Sequence, residues 1–384
     1  MNILYTNFHG EFGGGQDTYV HDLAVEMSRN NRVTVASPPE SRLSRLLRAI
    51  PAVSIVDMEF KPNWKSFFRE ILRLRKLIDT ARFDLIHVNG AADHRQIMFA
   101  LIGCQVRPAI VFTKHNTYRA NSIGNFLRAR FATTCTIAVS DYVHAMLKQC
   151  SPYGNITVVK HGVRMPTVDR LGRDEIRRRK AALFGPVGTD AIVLGSTAGT
   201  APQKGWMDLI VALGRLPDAL RERFHVFLVG EEPSTAQREQ VEKHGMASRI
   251  VFTGRLDNAR EWLAIADVSF VLSYQESLSY ACREAMSMGC PTIVTRVGGL
   301  PENVEHGLDG WIVPPRSPEA IEPILRIIAS DPGLVETMGC NARRKSRREF
   351  CVDKFTRATL SVYENSIRRN RNRRAMPMRV MQWR

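Results

Sequence analysis

The stretch Asp267-Val-Ser-Phe-Val-Leu-Ser273-Tyr-Gln-Glu276-Ser-Leu-Ser-Tyr-Ala-Cys-Arg-Glu284-Ala-Met-Ser-Met-Gly289-Cys-Pro291 decides the fold. Its first part is a short apolar run, the mark of a parallel strand buried on both faces. Gly289 and Pro291 read as a helix C-cap and stop. Glu276 therefore lies in the turn after a strand, and Glu284, eight positions on, lies on the helix that follows. Free backbone N–H groups at such a helix start face the crevice at the strand's carboxyl end, where open α/β sheets bind anionic ligands. A carboxylate is no anion binder. Glu276 suits hydrogen bonds from sugar hydroxyls, while the amides of Ser277, Leu278 and Ser279 hold phosphate oxygens. Two glutamates at this spacing are common by chance, and each alone is more often a solvated helix charge. The buried strand, the turn, the capped helix and a second short strand, Thr292-Ile-Val-Thr295, favour the functional reading.

The same rhythm runs outward in both directions. In the first half, strand-like pieces at residues 2–6, 32–36, 84–88, 109–113 and 136–139 alternate with amphipathic stretches, among them a helix from about Gln16 to Arg29. A pause rich in Pro and polar residues, His161 to Arg170, suits a linker. Beyond a charged helix over 173–183, strands follow at 191–195, 225–230, 249–253, 267–273, 292–295 and 311–313. Strand–helix alternation of this kind predicts α/β architecture: two Rossmann-like, doubly wound parallel-sheet domains facing a cleft. The expected division is residues 1–165 for the first domain and 166–355 for the second. A C-terminal helix over 356–369 and a basic, disordered tail over 370–384 follow.

The chain has 384 residues, 44% apolar and 24% charged, as a soluble two-domain protein does. Its seven cysteines are scattered, without C-x-x-C spacing, so neither zinc nor a redox dithiol is indicated, and an odd count fits a reducing compartment. The N-terminus reads as a strand and not as a signal peptide, and no apolar run is long enough to span a bilayer. A formal charge of +16 calls for an anionic partner or surface.

Several loops add chemistry. Gly13-Gly14-Gly15 follows the first strand and precedes a helix, which allows close backbone approach to a ligand and favours negative charge there. Neither G-x-G-x-x-G nor a Walker ending is present, so the loop alone is a weak signal. Lys204-Gly205 opens a helix where a cation is disfavoured by the dipole, and a bound diphosphate would offset that. His115, in Thr113-Lys-His115-Asn, follows another apolar strand; a lone His there is more often a structural hydrogen-bonder. His87, in Asp84-Leu-Ile-His87, reads as structural.

The run from Ser273 to Pro315 resembles the donor-site signature of family-4 glycosyltransferases of the GT-B fold: a Glu, seven residues, Glu-Ala-Met, a small-Gly-x-Pro element and then Gly298-Gly299-Leu300-Pro301-Glu302. The resemblance extends over nearly the whole chain. It implies that Pro202-Gln-Lys204-Gly205 is a diphosphate clamp and that the Gly13–Gly15 loop faces acceptor and sugar-phosphate. It places His115 near the transferred sugar, as a contact rather than a general base, and likens Ser140 to a strand-end serine. Glu284 would then accept from ribose hydroxyls, and Gly254 and Arg255 would line the nucleobase side. The chain departs from the family at Gly199, where an Arg usually stands five residues before the clamp Lys, and at Lys160-His-Gly-Val-Arg164, to which no chemistry is assigned. Ser196, Thr197, Thr200 or Arg255 are the candidates to replace the missing guanidinium.

The resemblance also implies transfer with retention through an oxocarbenium-like state, the departing diphosphate taking the acceptor's proton. Lys204 and helix N-termini stabilise the leaving group, and Glu276 positions the sugar. No D-x-D cluster is present, so no metal and no cofactor are expected. The expected partners are a nucleotide-sugar donor, with a UDP-sugar favoured, and a lipid-linked or phosphorylated glycan acceptor in bacterial lipopolysaccharide or surface-glycan synthesis. The helix from Trp64 to Ile78 carries Phe67, Ile71, Leu74 and Ile78 on one face and Arg69, Arg73 and Lys76 opposite. It is an ordinary core helix or an interfacial one. With Arg42, Arg45, Arg48, Arg119, Arg128 and Arg130 it gives the first domain a basic surface suited to an anionic membrane. A cytoplasmic protein, peripheral on the inner face of the membrane, is expected. The rival readings are a GT-B nucleotide-sugar epimerase, an inactive scaffold and a nucleic-acid-binding protein. The last lacks any helix-turn-helix, finger or RNP pattern, so no nucleic acid is expected.

Overall fold

Apolar runs too short for helices and flanked by amphipathic stretches bury themselves as parallel strands with helices on both faces. The computed structural model describes residues 1–11, 13–61, 63–166, 172–185, 191–256 and 258–375. It contains two parallel sheets. The first has strands β1 (Asn2–Thr6), β2 (Arg32–Ser37), β3 (Val53–Asp57), β4 (Leu85–Val88), β5 (Ala109–Lys114), β6 (Cys135–Ala138) and β7 (Ile156–Val158), in the order β3-β2-β1-β4-β5-β6-β7. The second has β8 (Ile192–Ser196), β9 (Phe224–Leu228), β10 (Ile250–Phe252), β11 (Val268–Val271), β12 (Thr292–Thr295) and β13 (Gly310–Val313), in the order β10-β9-β8-β11-β12-β13. The chain divides into two compact units, residues 1–161 with 353–384, and residues 162–352.

Two strands escape a reading by apolar runs. β3 and β7 are edge strands, and β7 has only three residues. Each is half exposed and so lacks the continuous apolar signature. The expected disordered tail also needs correction. The last helix runs on from Val352 to Ala375, so residues 370–375 are helical, and 376–384 lie outside the described residues. Arginine is a good helix former. The end is also tied down, with Asn370 Nδ2 donating to the carbonyl of Arg107 at 2.8 Å.

A buried polar relay joins that helix to the first sheet. Tyr363 donates to the Tyr5 hydroxyl at 3.0 Å, so its oxygen accepts from His87 Nδ1 at 2.6 Å. His87 Nε2 is then the acceptor for Thr113 Oγ1 at 2.6 Å, and Tyr19 supplies Thr113 at 3.2 Å. His87 is therefore structural: it is fully buried, and burial pushes its imidazole down to about 3. Tyr363→Phe strands a buried donor without filling its place. We expect a loss of about 1–3 kcal/mol in urea unfolding, larger than for the exposed Tyr118→Phe.

The helix Trp64–Ala81 settles half of its two readings. Ile71, Leu74 and Ile78 are in the core, while Arg69 and Arg73 pair with the buried Glu70. Phe68 and Leu72 are left on its exposed side. The Trp64 side chain lies outside the described residues.

Candidate functional site

In the second unit, strand order reverses between β8 and β11: β9 and β10 lie to one side, β12 and β13 to the other. Crevices at the carboxyl ends of strands at such a switch point are where open sheets bind ligands. Lys204 and Glu276 come from the loops after β8 and β11 respectively, and meet there. Lys204 Nζ donates to Glu276 Oε2 at 3.1 Å, with the two side chains 27% and 16% exposed. The carboxylate therefore offsets the ammonium's unfavourable place before a helix start, a role the sequence reading gave to a bound diphosphate alone.

Local geometry fixes this meeting. Pro202–Lys204 is a single 3-10 turn, and Gly205 caps the following helix, Trp206–Gly214, at φ +65°. A Cβ on Gly205 would stand 2.0 Å from the Leu272 carbonyl oxygen, so only glycine lets the clamp loop lie against the end of β11. The backbone of Tyr274 donates to the Gln203 carbonyl at 2.8 Å and ties the loops together. Tyr274 donates its hydroxyl to Asp208 at 2.9 Å, and Arg316 stacks on its ring at 4.2 Å.

Glu276 is held from the other side by the Gly-Gly-Leu-Pro-Glu loop. Gly298 sits at φ +55°, and a Cβ there would fall 1.7 Å from the Glu276 carbonyl oxygen. Gly298→Ala must push Glu276 away. We expect a loss of about 1–3 kcal/mol of stability together with weakened ligand binding in this unit, read by thermal melting and calorimetry on the one variant. Gly299→Ala, at φ −89°, serves as the control.

The helix Tyr280–Ser287 starts four residues after Glu276. Its N-cap Ser279 adopts φ +79°, a strained conformation for a residue with a side chain, and its hydroxyl accepts from the Cys282 amide. The strain is held in place from below. Asn303 Nδ2 donates to the Leu278 carbonyl, and Asn303 Oδ1 accepts from Arg283 Nε at 2.7 Å. Arg283 is 1% exposed, lies 4.2 Å over the Phe350 ring, and is pushed down to about 10 by burial. The Ser277 amide does not face outward, since it donates to Glu276 Oε1 at 3.2 Å. Ser277 thus orients the carboxylate instead of offering its amide to a phosphate. Glu284 is half-buried on the same helix.

The loop that replaces the family's arginine is also defined. Gly199 has φ +95° with open space at its Cβ, so an arginine would be strained there although room exists. Thr200 Oγ1 is committed to the Glu231 carbonyl, and exposed Arg255 pairs with Glu231. Ser196 Oγ accepts from the Ala198 amide at 3.3 Å. Thr197 Oγ1 is buried, with no hydrogen-bond partner among the described residues. Gly254, at φ +70°, accepts from the Gly230 amide at 3.1 Å and lies beside this loop.

The first unit has its own switch point, between β1 and β4. Gly13 and Gly14 lead into the helix Gly15–Ser28, with Gly14 as N-cap. A Cβ on Gly13 would fall 1.5 Å from Asp17 Oδ2. Asp17 is fully buried; its Oδ1 accepts from Asn7 at 2.9 Å and pairs with His9 Nδ1 at 3.1 Å, and its Oδ2 has no partner among the described residues. Asp17 and His9 escape sequence reasoning because an acid in a helix's first turn normally complements the dipole from the surface. His115 stands at the end of β5. Asn89 spends its amide group on the Thr6 carbonyl, so its oxygen accepts from His115 Nε2 at 3.0 Å. Burial holds His115 well below the usual imidazole range, and the ring packs edge-on against Tyr19 at 4.6 Å. His115 is therefore neutral at pH 7 and keeps the Nδ1 lone pair as an acceptor.

Residues 13–165 match the model of Glycosyltransferase Family 4, and residues 190–331 match that of Glycosyl transferases group 1. N-acetyl-alpha-D-glucosaminyl L-malate synthase of Bacillus anthracis is 31% identical over 148 residues, 38% of this chain and 39% of that protein. The matches at 30% identity or more span less than half the length of the relatives. The lipopolysaccharide core biosynthesis mannosyltransferase LpsB of Rhizobium meliloti is 22% identical over 96% of this chain and 98% of its own. Among solved structures, Anabaena HepE in complex with UDP-glucose superposes with a TM-score of 0.80 at 20% identity, covering 95% of this chain and 100% of HepE.

Proposed function

We propose that this chain, which belongs to the group 1 and family 4 glycosyltransferases of GT-B fold, moves a sugar from a nucleotide-sugar donor to a lipid-linked or phosphorylated glycan acceptor. The observation that carries this reading is the Lys204–Glu276 pair at the switch point of the second sheet. A nucleotide diphosphate needs a cation and free amides, and a sugar ring needs a fixed carboxylate. Lys204, the Leu278 and Ser279 amides and Glu276 supply these in one crevice. Glu284 receives the ribose hydroxyls, and Gly254 and Arg255 border the base.

Reaction with retention fits this set of groups. Glu276 is tied to Lys204 and to the Ser277 amide, and a carboxylate so engaged is a poor nucleophile. The preferred route is same-face attack, in which the acceptor O–H and the sugar–phosphate bonds break, the new glycosidic bond forms, and the proton leaves on the diphosphate. Lys204 stabilises that diphosphate, and no metal ion is assigned a role. A UDP-sugar is favoured because HepE binds UDP-glucose. A surface glycan such as lipopolysaccharide core is favoured by the relatedness to LpsB.

The acceptor reading rests on the first unit. Of the large hydrophobic side chains exposed among the described residues, all but Leu308 and Ile327 belong to it. Phe68 and Leu72 come from the helix Trp64–Ala81, Ile102 from the turn after the helix Ala91–Ala100, and Ile123, Phe126 and Phe131 from the helix Ile123–Phe131, interspersed in sequence with arginines. Exposed apolar side chains interspersed with arginines suit the anionic face of a membrane, with the protein peripheral to it. No helix among the described residues is long and apolar enough to cross a membrane. Calorimetric titration with UDP-, GDP- and ADP-sugars tests the donor. Binding of none of them removes the reading, and epimerisation of UDP-N-acetylglucosamine without acceptor replaces it.

A further inference from the structure

Two buried cations in the first unit have no carboxylate partner. Lys114, the last residue of β5, and Arg128, on the helix Ile123–Phe131, are each only 8% exposed. Among the described residues neither joins an ion pair. Lys114 Nζ donates to Asn116 Oδ1 at 2.6 Å, and Arg128 Nη2 donates to Asn125 Oδ1 at 2.8 Å. Both partners are neutral amides. Asn125 Oδ1 is further occupied by the Tyr153 hydroxyl at 3.2 Å, and Arg128 Nε is buried with no acceptor among the described residues. The two charges act on each other: burial first, and then Arg128, push the Lys114 ammonium down to about 8. Buried cations are ordinarily paired with acids, because removing a charge from water costs several kcal/mol. Arg128 also bonds the Tyr153 hydroxyl, whose ring packs 4.9 Å from that of Phe112, two residues before Lys114 on the same strand. Served by neutral groups alone, the two cations lack a counter-anion among the described residues.

The surroundings indicate what that anion is. Lys114 ends a strand at the carboxyl edge of the sheet, next to His115. Its partner Asn116 is exposed, so an incoming anion replaces an amide oxygen at the surface without opening the core. The loop and helix that carry Asn116 and Arg128 also carry exposed Tyr118, Ile123 and Phe126. We propose that Lys114 and Arg128 form a recess for a phosphoryl group, that of the acceptor, with guanidinium and ammonium donating to its oxygens. The assignment to the acceptor rests on the glycosyltransferase reading; the anion site itself does not. The phosphoryl group comes either from a lipid headgroup or from a soluble sugar phosphate.

The test uses the full chain with Lys204→Ala, so that the second unit's clamp does not contribute. Inorganic phosphate is titrated by calorimetry into this parent and into the same protein carrying Lys114→Met or, separately, Arg128→Met. The expected result is binding by the parent and at least about tenfold weaker binding by each added variant. In phosphate-free buffer, Lys114→Met is expected to melt no lower than the parent, since it removes an uncompensated charge. Should Lys114→Met fail to fold, Arg128→Met decides. No phosphate binding by the parent, or undiminished binding by the variants, overturns the recess. Flotation with vesicles of phosphatidylcholine, with and without phosphatidic acid, separates the sources. Loss of phosphatidic-acid-dependent flotation in the variants assigns the site to a lipid headgroup; unchanged flotation with lost phosphate binding assigns it to a soluble phosphate. UDP titrated into the Lys204-intact protein reads the donor site by itself. UDP binding without phosphate binding sinks the recess alone, and the reverse sinks the donor reading alone.

Discussion

Alanine at Lys204 lowers turnover of the cognate donor by about 100- to 1,000-fold, the effect of deleting one preorganised donor to a developing negative charge. The loop around Lys204 sets this effect. Gly205 presses against the Leu272 carbonyl, and the Tyr274 amide bonds to Gln203, so the ammonium is delivered to one place and cannot be replaced by a neighbour. Thr200 and Arg255, which could have shared its load, are committed to Glu231. The diphosphate becomes more charged as the sugar leaves, so the loss falls on kcat as well as on KM. Glu276 loses its partner in the same variant and keeps only the Ser277 amide, which makes the sugar's position less certain. Lys204→Arg restores the charge without the geometry, since a broad planar fork does not reproduce a compact point charge 3.1 Å from Glu276 Oε2. A UDP-release assay on the donor identified by calorimetry reads all three enzymes. Wild-type turnover by the alanine variant removes Lys204 from the leaving-group role.

The sequence is legible wherever its signal is local. Buried parallel strands announce themselves as apolar runs, and β1 and β12 begin and end where such a reading puts them. Glycines also speak plainly: Gly205 and Gly298 are required by close backbone approach at positive φ, and both flank residues of the proposed site. Groups whose meaning arises only from tertiary neighbours are different. Asp17 looks like a helix-dipole acid until its burial against Gly13 and His9 is known. Lys114 is one letter in an apolar strand until Arg128, fourteen residues on, is found buried beside it. Ser277 looks like a phosphate-binding amide, yet its N–H turns back to the carboxylate one residue earlier. Edge strands β3 and β7 fail for the opposite reason, because half of each faces solvent and the apolar signature disappears.

Acidification to about pH 5 removes about 3 kcal/mol or more from the stability of the first unit, out of a total of about 5–15 kcal/mol typical of a domain. The cause is a set of histidines buried neutral. His87 and His94 are fully buried and pushed down to about 3 by burial, and His115 is lowered in the same way. A group whose folded value is depressed below its unfolded one contributes its stability above the unfolded value, near 6.5, and loses it as pH falls toward the folded value. At about pH 5 the unfolded imidazole is protonated while the folded one is not, so His87 and His94 each withdraw about 2 kcal/mol. Asp93 acts against them. Burial raises its carboxyl to about 6, so it takes up a proton in the folded state first and gains about 1.4 kcal/mol at the same pH. The sum is about 3 kcal/mol lost, and His115 adds to the loss. The relay through His87 makes the effect cooperative, because a protonated His87 can no longer accept from Thr113, and the tie between Tyr363 and the sheet is strained with it. Native-state hydrogen exchange of the β1, β4 and β5 amides at pH 7.5 and pH 5 reads the first unit separately from the second. His94→Gln is expected to flatten the difference by about 2 kcal/mol, whatever its effect at pH 7.5. Equal protection of those strands at the two pH values would show that the buried imidazoles do not govern acid stability.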